Sequence, residues 1–386
     1  MNTGKKKLRI AFFSEDFSRQ AKGTAIVIQK IAEQFFTNFS DKVELTLIRK
    51  EGLCGHPLTK KIRNIEIRVY KTPIFSTLIS YLFFFLTCGE KFDVVIFNKF
   101  VYPGFWFLNS KKFILFAHDA PVSPTIYKEK LMFSSKSLYL FLGLVGKYYL
   151  DALIVDSQDA KQEVIKYHRV APPKVFAIYI GAGDEFREFS DQEKLGAKQI
   201  LEKKYGIAQP YILDVSRLDP HKNIGTLIDA FFILKKEQQI PHKLVIVGGK
   251  HLPVYSQMIE DKIKNLSLSK DIVIAPYIEE EDLPGVYNLA DALVFPSLIE
   301  GFGLPLVEAM KCGAPIIASD IPVMKEITDG AALFVDPFNF ELMADKILEI
   351  LNNSQLRKKL VEKGLKRSKD FSWLNTAEEF LKILCV

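Results

Sequence analysis

Residues 291–310 read DALVFPSLIEGFGLPLVEAM. They begin with a short apolar run, which is typical of a buried parallel strand. Pro305 suits the first position of a helix, where its missing N–H costs nothing, and Gly313 suits the left-handed position just past the end of that helix. The stretch therefore predicts a strand, a tight glycine-rich loop and a short helix.

The predicted loop has the composition of a ligand site. Gly301 and Gly303 would let the backbone approach a ligand, and the start of the helix offers N–H groups and the positive end of a dipole. Glu300 lies at the loop entrance and Glu308 about one turn into the helix, and both carboxylates suit hydroxyl groups better than phosphate. The pattern indicates a ligand with hydroxyls and phosphate, although spacing alone equally allows glycines that only turn the chain.

The run from Glu300 to Glu308 contains Gly-Phe-Gly-Leu-Pro and is followed by Ala-Met. It resembles the Glu-(x)7-Glu signature of the family 4 retaining glycosyltransferases. The resemblance implies an α/β chain with the GT-B fold, in which two Rossmann-like β/α/β domains face each other with their parallel sheets across a cleft. It extends over nearly the whole chain, but its specific motifs lie within residues 211–337.

The length of 386 residues favours two domains. From the resemblance, we expect a Rossmann-like domain on the acceptor side at 1–184 and one on the donor side at 207–368. The charged stretch 185–206 is interpreted as a linker with a lead-in helix. Residues 369–386 are expected to form a last helix that crosses back to the first domain, because Phe371–Ser372–Trp373 resembles the marker of that crossing.

The first half alternates strand-like and helix-like segments. Gly23 follows the first predicted strand at the start of a helix, which is typical of a structural turn or of a phosphate site. His118 and Asp119 end another apolar strand, at the sheet edge where ligands bind in open parallel sheets. The resemblance implies that Gly23 approaches the donor diphosphate and that His118 reaches the donor sugar near its reacting carbon. Asp119 would then orient His118 or meet the acceptor.

The second half repeats the alternation. Arg217 and Lys222 flank a turn after a strand, and Asn223 is a suitable cap for a helix over Ile224–Lys236. Two cations in one turn favour an anionic ligand, with a solvated basic turn as the alternative. The resemblance implies that they clamp the diphosphate and that the backbone around Ala275–Tyr277 faces the nucleobase.

The resemblance thus implies transfer of a sugar, with retention of configuration, from a nucleotide-diphosphate donor to a glycan or lipid-linked acceptor. GDP-mannose or a UDP-sugar is the expected donor. No cofactor or metal is expected, because the chain lacks the Asp-x-Asp pair of metal-using transferases. The residues expected to act in catalysis are His118, Glu300, Arg217 and Lys222. The residues expected to bind the donor are Gly23, Arg217, Lys222, Tyr277, Glu300, Gly301, Phe302, Gly303, Leu304 and Glu308.

Other classes of function are disfavoured. The four cysteines form no C-x-x-C pair, so neither a disulfide framework nor a zinc site is indicated. No G-x-G-x-x-G follows a strand, which argues against a nicotinamide or flavin enzyme. No nucleic-acid partner is expected. Two alternatives stay open: a GT-B nucleotide-sugar 2-epimerase and a nucleotide-sugar-binding protein without turnover.

The charge is unevenly distributed. Residues 1–184 contain 27 Lys and Arg against 16 Asp and Glu, a balance of +11, so the total of +6 leaves −5 for the rest. A basic first half suits an anionic partner such as a membrane surface. The apolar stretch 74–86 is too short to span a bilayer and is interpreted as a buried helix or an interfacial segment. We expect a cytoplasmic protein, with peripheral contact to the inner face of the membrane as the alternative.

Overall fold

The computed structural model describes residues 6–13, 24–50, 57–67, 84, 86–97, 109–117, 149–168, 170–250, 252–275 and 277–385. The chain divides into two compact units, one formed by Met1–Ile180 with Trp373–Val386 and the other by Gly181–Ser372.

The first unit is built on a seven-stranded sheet in the order β3-β2-β1-β4-β5-β6-β7, with every pairing parallel. Its strands are β1 (Leu8–Phe13), β2 (Val43–Lys50), β3 (Arg63–Ile67), β4 (Phe92–Phe97), β5 (Ser110–Ala117), β6 (Ala152–Val155) and β7 (Val175–Ala177). Its described helices are α1 (Thr24–Asn38), α2 (Gln158–Glu163) and α11 (Trp373–Cys385).

The last helix, α11, belongs to the first unit. Its Phe380 is fully buried and lies edge-on to Phe116 of β5, with ring centroids 4.9 Å apart. Thr376 donates a hydrogen bond of 2.8 Å from its hydroxyl to the carbonyl of Tyr179. The end of the chain therefore completes the core of the domain in which the chain begins.

The second unit is built on a six-stranded sheet in the order β10-β9-β8-β11-β12-β13, again with every pairing parallel. Its strands are β8 (Tyr211–Val215), β9 (Lys243–Val247), β10 (Ile272–Ile274), β11 (Ala292–Phe295), β12 (Ile316–Ser319) and β13 (Ala332–Val335). Its helices are α3 (Asp191–Ile200), α4 (Ile224–Lys236), α5 (Pro253–Asn265), α6 (Leu283–Asn288), α7 (Leu304–Cys312), α8 (Pro322–Thr328), α9 (Phe340–Asn352) and α10 (Ser354–Arg367).

Strand composition explains both sheets. A parallel sheet covered by helices on both faces needs strands that are apolar throughout, and β11 and β12 are buried at every position. The helices that cover such a sheet present one apolar face: in α9 that face consists of Met343, Ala344, Ile347 and Ile350. The expected pair of Rossmann-like domains is confirmed, since both sheets contain the doubly wound order 3-2-1-4-5-6.

The segment after residue 180, which includes the predicted linker and lead-in helix at 185–206, belongs to the second unit. Lys311 of α7 donates from Nζ to the carbonyls of Ala182 and Gly183, at 2.9 and 3.0 Å. The backbone N–H of Phe189 donates to the side-chain oxygen of Asn288 at 2.8 Å. These hydrogen bonds fix the segment to the second unit a few residues earlier than the sequence suggested.

The turn after β9 packs directly on the loop after β8. Gly248 has φ 138°, and a Cβ built on it would lie 2.5 Å from the carbonyl oxygen of Ser216. Gly249 has φ 74°, but a Cβ there would meet nothing within 4 Å. Only the first of these glycines is required by close approach, whereas both are favoured by backbone conformation.

We therefore expect Gly248→Ala to destabilise the protein by about 3 kcal/mol, through backbone strain and overlap with Ser216 together. Gly249→Ala is the matched control and should cost about 1 kcal/mol, through strain alone. Differential scanning calorimetry of both variants measures the difference. Equal destabilisation would show that the close approach has no energetic consequence.

Candidate functional site

Two loops meet where the strand order of the second sheet reverses. β8 and β11 are neighbours, although β9 and β10 lie between them in the chain. In open parallel sheets, ligands bind at the carboxyl ends of the two strands that flank such a switch point. The loop after β8 carries Arg217 and Lys222, and the loop after β11 carries Glu300, so three residues predicted from the sequence meet at the favoured position.

Hydrogen bonds hold the two loops together. The N–H of Leu298 donates to the carbonyl of His221 at 2.8 Å. The side-chain amide of Asn223 donates to the carbonyls of Pro296 and Pro337, at 3.2 and 2.6 Å. Asn223 lies at the N-cap of α4, as predicted, but it is left-handed, with φ 59°, and its side chain makes no capping hydrogen bond to the helix. Its amide joins three loops instead.

Lys222 and Glu300 form an ion pair, with Nζ hydrogen-bonded to Oε1. The side chains are only 15% and 12% exposed, so their mutual attraction is screened less than on an open surface. Lys222 Nζ also lies 5.6 Å from the ring centroid of Phe295, at the end of β11. The structure thus brings together Lys222, which is predicted to bind phosphate, and Glu300, which is predicted to bind sugar hydroxyls.

Arg217 lies at the same edge and remains largely in solvent. Its side chain is 57% exposed, and one guanidinium nitrogen lies 3.3 Å from Oδ2 of Asp219, which is 5% exposed. Between these groups and Lys222 lies His221, whose pKa is lowered by burial and further by the Lys222 charge. The turn therefore carries its positive charge on Arg217 and Lys222.

The glycine-rich loop leads into α7 as the sequence predicts. Gly303 precedes the helix with φ 93°, Leu304 is the first helical residue, and Gly313 ends the helix with φ 71°. Phe302 anchors the loop: it is 4% exposed, and its ring lies 5.8 Å from that of Phe371. Pro305 has no N–H group, and the N–H of Leu306 donates to the carbonyl of Gly303 at 2.9 Å. The helix start therefore offers an anion the N–H groups of Gly303 and Leu304.

Glu308 lies inside the second unit. It is 8% exposed and accepts a hydrogen bond of 2.6 Å from the hydroxyl of Tyr287, which is fully buried. Burial raises the pKa of Glu308 to about 7. At neutral pH the carboxyl group is therefore partly protonated and can both donate and accept hydrogen bonds. Tyr287 was not predicted, because its contact with Glu308 depends on how α6 packs on α7.

Asp214 is a second buried carboxyl group that sequence reasoning missed. It lies in β8, is fully buried, and accepts a hydrogen bond of 2.6 Å from the hydroxyl of Ser216. Burial raises its pKa to about 7 as well. The signal was present in the sequence, since an aspartate interrupts the otherwise apolar strand YILDV.

Several predicted residues cannot be placed in this site. Gly23, His118 and Asp119 lie outside the described residues, as does most of the stretch 74–86. Tyr277 follows β10 at the same sheet edge and is 60% exposed.

Neither a metal-binding cluster nor a membrane-spanning helix is present among the described residues. No group of three or more His, Cys, Asp or Glu side chains is placed there to hold a metal ion. No helix in the described part of the chain has the length and apolar character needed to cross a membrane.

Comparison with known proteins places this site in a family. The model of the glycosyl transferases group 1 family matches residues 197–367, which include every site residue described above. The predicted glycosyltransferase family is thereby confirmed.

Two curated relatives from Escherichia coli illustrate the range of similarity. The serotype-specific mannosyltransferase WbdA is 30% identical over 280 residues, which are 71% of this chain and 34% of WbdA. The O-antigen chain mannosyltransferase B is 29% identical over 251 residues, 64% of this chain and 62% of the relative. The chain thus spans about a third of the length of WbdA.

Solved structures with similar folds confirm the GT-B fold of this chain. HepE of Anabaena, crystallised in complex with UDP and glucose, aligns with a TM-score of 0.78 at 18% identity and covers 98% of this chain and 99% of its own. WaaG, a glycosyltransferase of lipopolysaccharide biosynthesis, aligns with a TM-score of 0.74 at 16% identity, over 97% of this chain and 99% of its own.

The raised pKa of Glu308 predicts a pH dependence of stability. Its ordinary value of 4.5 rises to about 7 in the folded protein, so the folded state binds more protons than the unfolded state between these values. The free energy of unfolding should therefore fall as the pH rises through this window. We expect Glu308→Gln to make that fall shallower, as measured by urea denaturation from about pH 5 to about pH 8.

The control is Glu280→Gln, which changes an exposed glutamate and should leave the slope unchanged. A slope that is the same in Glu308→Gln as in the unchanged protein would contradict the assignment.

Proposed function

We propose that the protein is a retaining glycosyltransferase that moves a sugar from a nucleotide-diphosphate donor to a glycan or lipid-linked acceptor. The observation that carries the proposal is the Lys222–Glu300 ion pair at the switch point of the second sheet, with Arg217 in the same loop as Lys222. This combination of two cations with a carboxylate suits a ligand in which a diphosphate adjoins sugar hydroxyls.

Lys222 would exchange partners when the donor binds. In the free protein its charge is balanced by Glu300. The donor diphosphate would replace Glu300 as the partner of Lys222 and attract Arg217. Backbone N–H groups at the start of α7 would donate hydrogen bonds to the same anion. Because negative charge develops on the β-phosphate as the sugar departs, these groups would stabilise the transition state.

Glu300, released from Lys222, would hold hydroxyls of the donor sugar. Glu308 would hold the ribose, and its partly protonated carboxyl group suits hydroxyls that both donate and accept. His118 would contact the face of the sugar near the departing bond, as the resemblance implies. Retention would follow from front-face displacement, in which the donor phosphate assists deprotonation of the acceptor.

No metal takes part in this proposal. Arg217, Lys222 and the start of α7 supply the positive charge that a metal ion would otherwise provide at the diphosphate. The sequence also lacks an Asp-x-Asp pair, as noted above.

Mannose is the sugar that the curated relatives favour, because both are named mannosyltransferases. GDP-mannose is therefore the first donor to test, and UDP-glucose is the second, because HepE has been crystallised with UDP-glucose. The O-antigen context of one relative favours a glycan or lipid-linked acceptor. We propose that the protein works in the cytoplasm, and the basic first half would suit an anionic membrane surface.

The activity is tested by incubating the protein with each donor and a mannosylated or lipid-linked acceptor. Transfer with retention, read from the anomeric NMR signals of the product, would support the proposal. Isomerised donor sugar without transfer would instead identify a 2-epimerase. Binding without any hydrolysis or transfer would identify a protein that holds nucleotide sugars without turnover.

We expect Arg217→Ala and Lys222→Ala each to lower kcat/KM for the donor by roughly 10- to 100-fold, because a hydrogen bond to a charged group contributes about 1.5–3 kcal/mol. The steady-state kinetics of donor consumption measure this.

Lys270→Ala is the matched control, since it removes an exposed lysine just before β10, at the opposite edge of the same sheet. If both Arg217→Ala and Lys222→Ala kept the kcat/KM of the control, the diphosphate assignment would be wrong.

A further inference from the structure

Asp214 occupies a position that the fold would normally give to an apolar residue. It lies in the middle of β8, two residues after Ile212, so both side chains point to the same face of the sheet. Ile212 belongs to the main hydrophobic core of the second unit, and so does Ile246, the partner of Asp214 on β9. Asp214 itself is fully buried.

The hydrogen bonding of Asp214 is incomplete. Oδ1 accepts from the Ser216 hydroxyl at 2.6 Å, whereas Oδ2 has no hydrogen-bond partner among the described residues. A buried carboxyl group with an unpaired oxygen is costly, and an apolar side chain of similar size would be more stable at such a position. Its presence is therefore not explained by the stability of the fold.

The charged groups that face Asp214 belong to the donor site. Lys222, from the turn after β8, lowers its pKa, and Glu300, from the loop after β11, raises it, although burial is the largest influence. Two tyrosines, the partly buried Tyr255 of α5 and the fully buried Tyr287 of α6, also interact with its charge. Asp214 is thus a third ionisable group that interacts electrostatically with the ion pair described above.

We propose that Asp214 is a positioning residue for Lys222. When Asp214 is neutral, the ammonium group of Lys222 is free to turn to the donor diphosphate; when Asp214 is ionised, it attracts that ammonium group and repels the diphosphate. The inference rests on the proposed function, because the diphosphate is the anion that competes with Asp214 for Lys222.

The direction of the effect follows from charge. A bound diphosphate adds negative charge near Asp214 and therefore favours its protonated form, so donor binding is linked to proton uptake by this residue. Because the pKa of Asp214 is already raised to about 7, donor affinity should decrease as the pH rises above neutrality.

The first experiment measures donor affinity against pH by calorimetry, with GDP-mannose and with UDP-glucose as probes. We expect the unchanged protein to lose roughly three- to tenfold in affinity between about pH 6 and about pH 8.5, and Asp214→Asn to lose clearly less. The loss that remains in Asp214→Asn is expected from Glu308, whose pKa is also raised to about 7. Asp291→Asn is the matched control, because burial also raises the pKa of this aspartate. It lies just before β11, at the other edge of the sheet, and should keep the profile of the unchanged protein.

His221 needs a control of its own, because it lies in the same turn. Its pKa is lowered by burial, so it titrates below the range in which Asp214 responds. His221→Asn should therefore preserve the loss of affinity above neutrality.

A second variant serves if Asp214→Asn does not fold. Ser216 holds the ionised form of Asp214 by a hydrogen bond that lowers its pKa. Ser216→Ala should raise the pKa of Asp214 further and move the loss of donor affinity to higher pH. A profile unmoved in this variant would count against the proposal.

The second experiment needs no donor. Titration of the carboxyl carbons in protein labelled with ¹³C at aspartate, with Asp214→Asn for assignment, reports the pKa of Asp214 directly. Glu300→Gln should lower this pKa and Lys222→Met should raise it. Absence of both shifts would overturn the coupling.

The two experiments separate the failure of each idea. Donor binding with identical pH profiles in the unchanged protein and Asp214→Asn would overturn the role of Asp214 and leave the proposed function in place. No binding of either donor, with the titration shifts intact, would overturn the proposed function and leave the three charges coupled.

Discussion

The arrangement of the candidate site depends on the ion pair between Lys222 and Glu300. Its two members come from loops on either side of the switch point. Both side chains are mostly buried, so neither charge could be left alone without a large desolvation cost. The pair therefore fixes the relative position of the loops after β8 and β11, and the hydrogen bonds of Leu298 and Asn223 do the same at backbone level.

The buried carboxyl groups give this arrangement its electrostatic character. Asp214 and Glu308 both have a pKa raised to about 7 by burial, so neither adds a full negative charge near neutrality. A fully ionised pair would reduce the attraction of the loops for an anion. Because these acids are only partly ionised, Arg217 and Lys222 are the principal charges facing a diphosphate, and the carboxyl group of Glu308 suits hydroxyl groups.

The sequence was sufficient for the elements whose residue patterns are local. The bounds of α4 agree with the predicted Ile224–Lys236, because the pattern of an amphipathic helix lies in consecutive residues. The glycine loop was predictable for the same reason, since Gly303 and Gly313 mark left-handed positions. The start of the second unit after residue 180 was not, because hydrogen bonds from a distant residue, Lys311, hold that segment.

The parts of the site that could not be predicted are those that depend on two distant segments. Nothing near Asn223 in the sequence indicates that its amide will bond Pro296 and Pro337 rather than cap the helix that follows. The partner of Glu308 likewise depends on α6 packing against α7. Asp214 is different, because an aspartate within an apolar strand is visible in the sequence, but its meaning appears only when the strand order puts Lys222 and Glu300 beside it.

An ion pair at a ligand site also limits which ligands can bind. A neutral sugar would find Lys222 and Glu300 already satisfied by each other and would gain little by separating them. A simple anion would take Lys222 but leave Glu300 as a buried charge without a partner, at a cost that offsets the gain. Some ligands carry both an anionic group, which can pair with Lys222, and hydroxyl groups nearby, which can bind Glu300. Such a ligand satisfies both residues at once. This requirement favours a sugar joined to a diphosphate over either part alone.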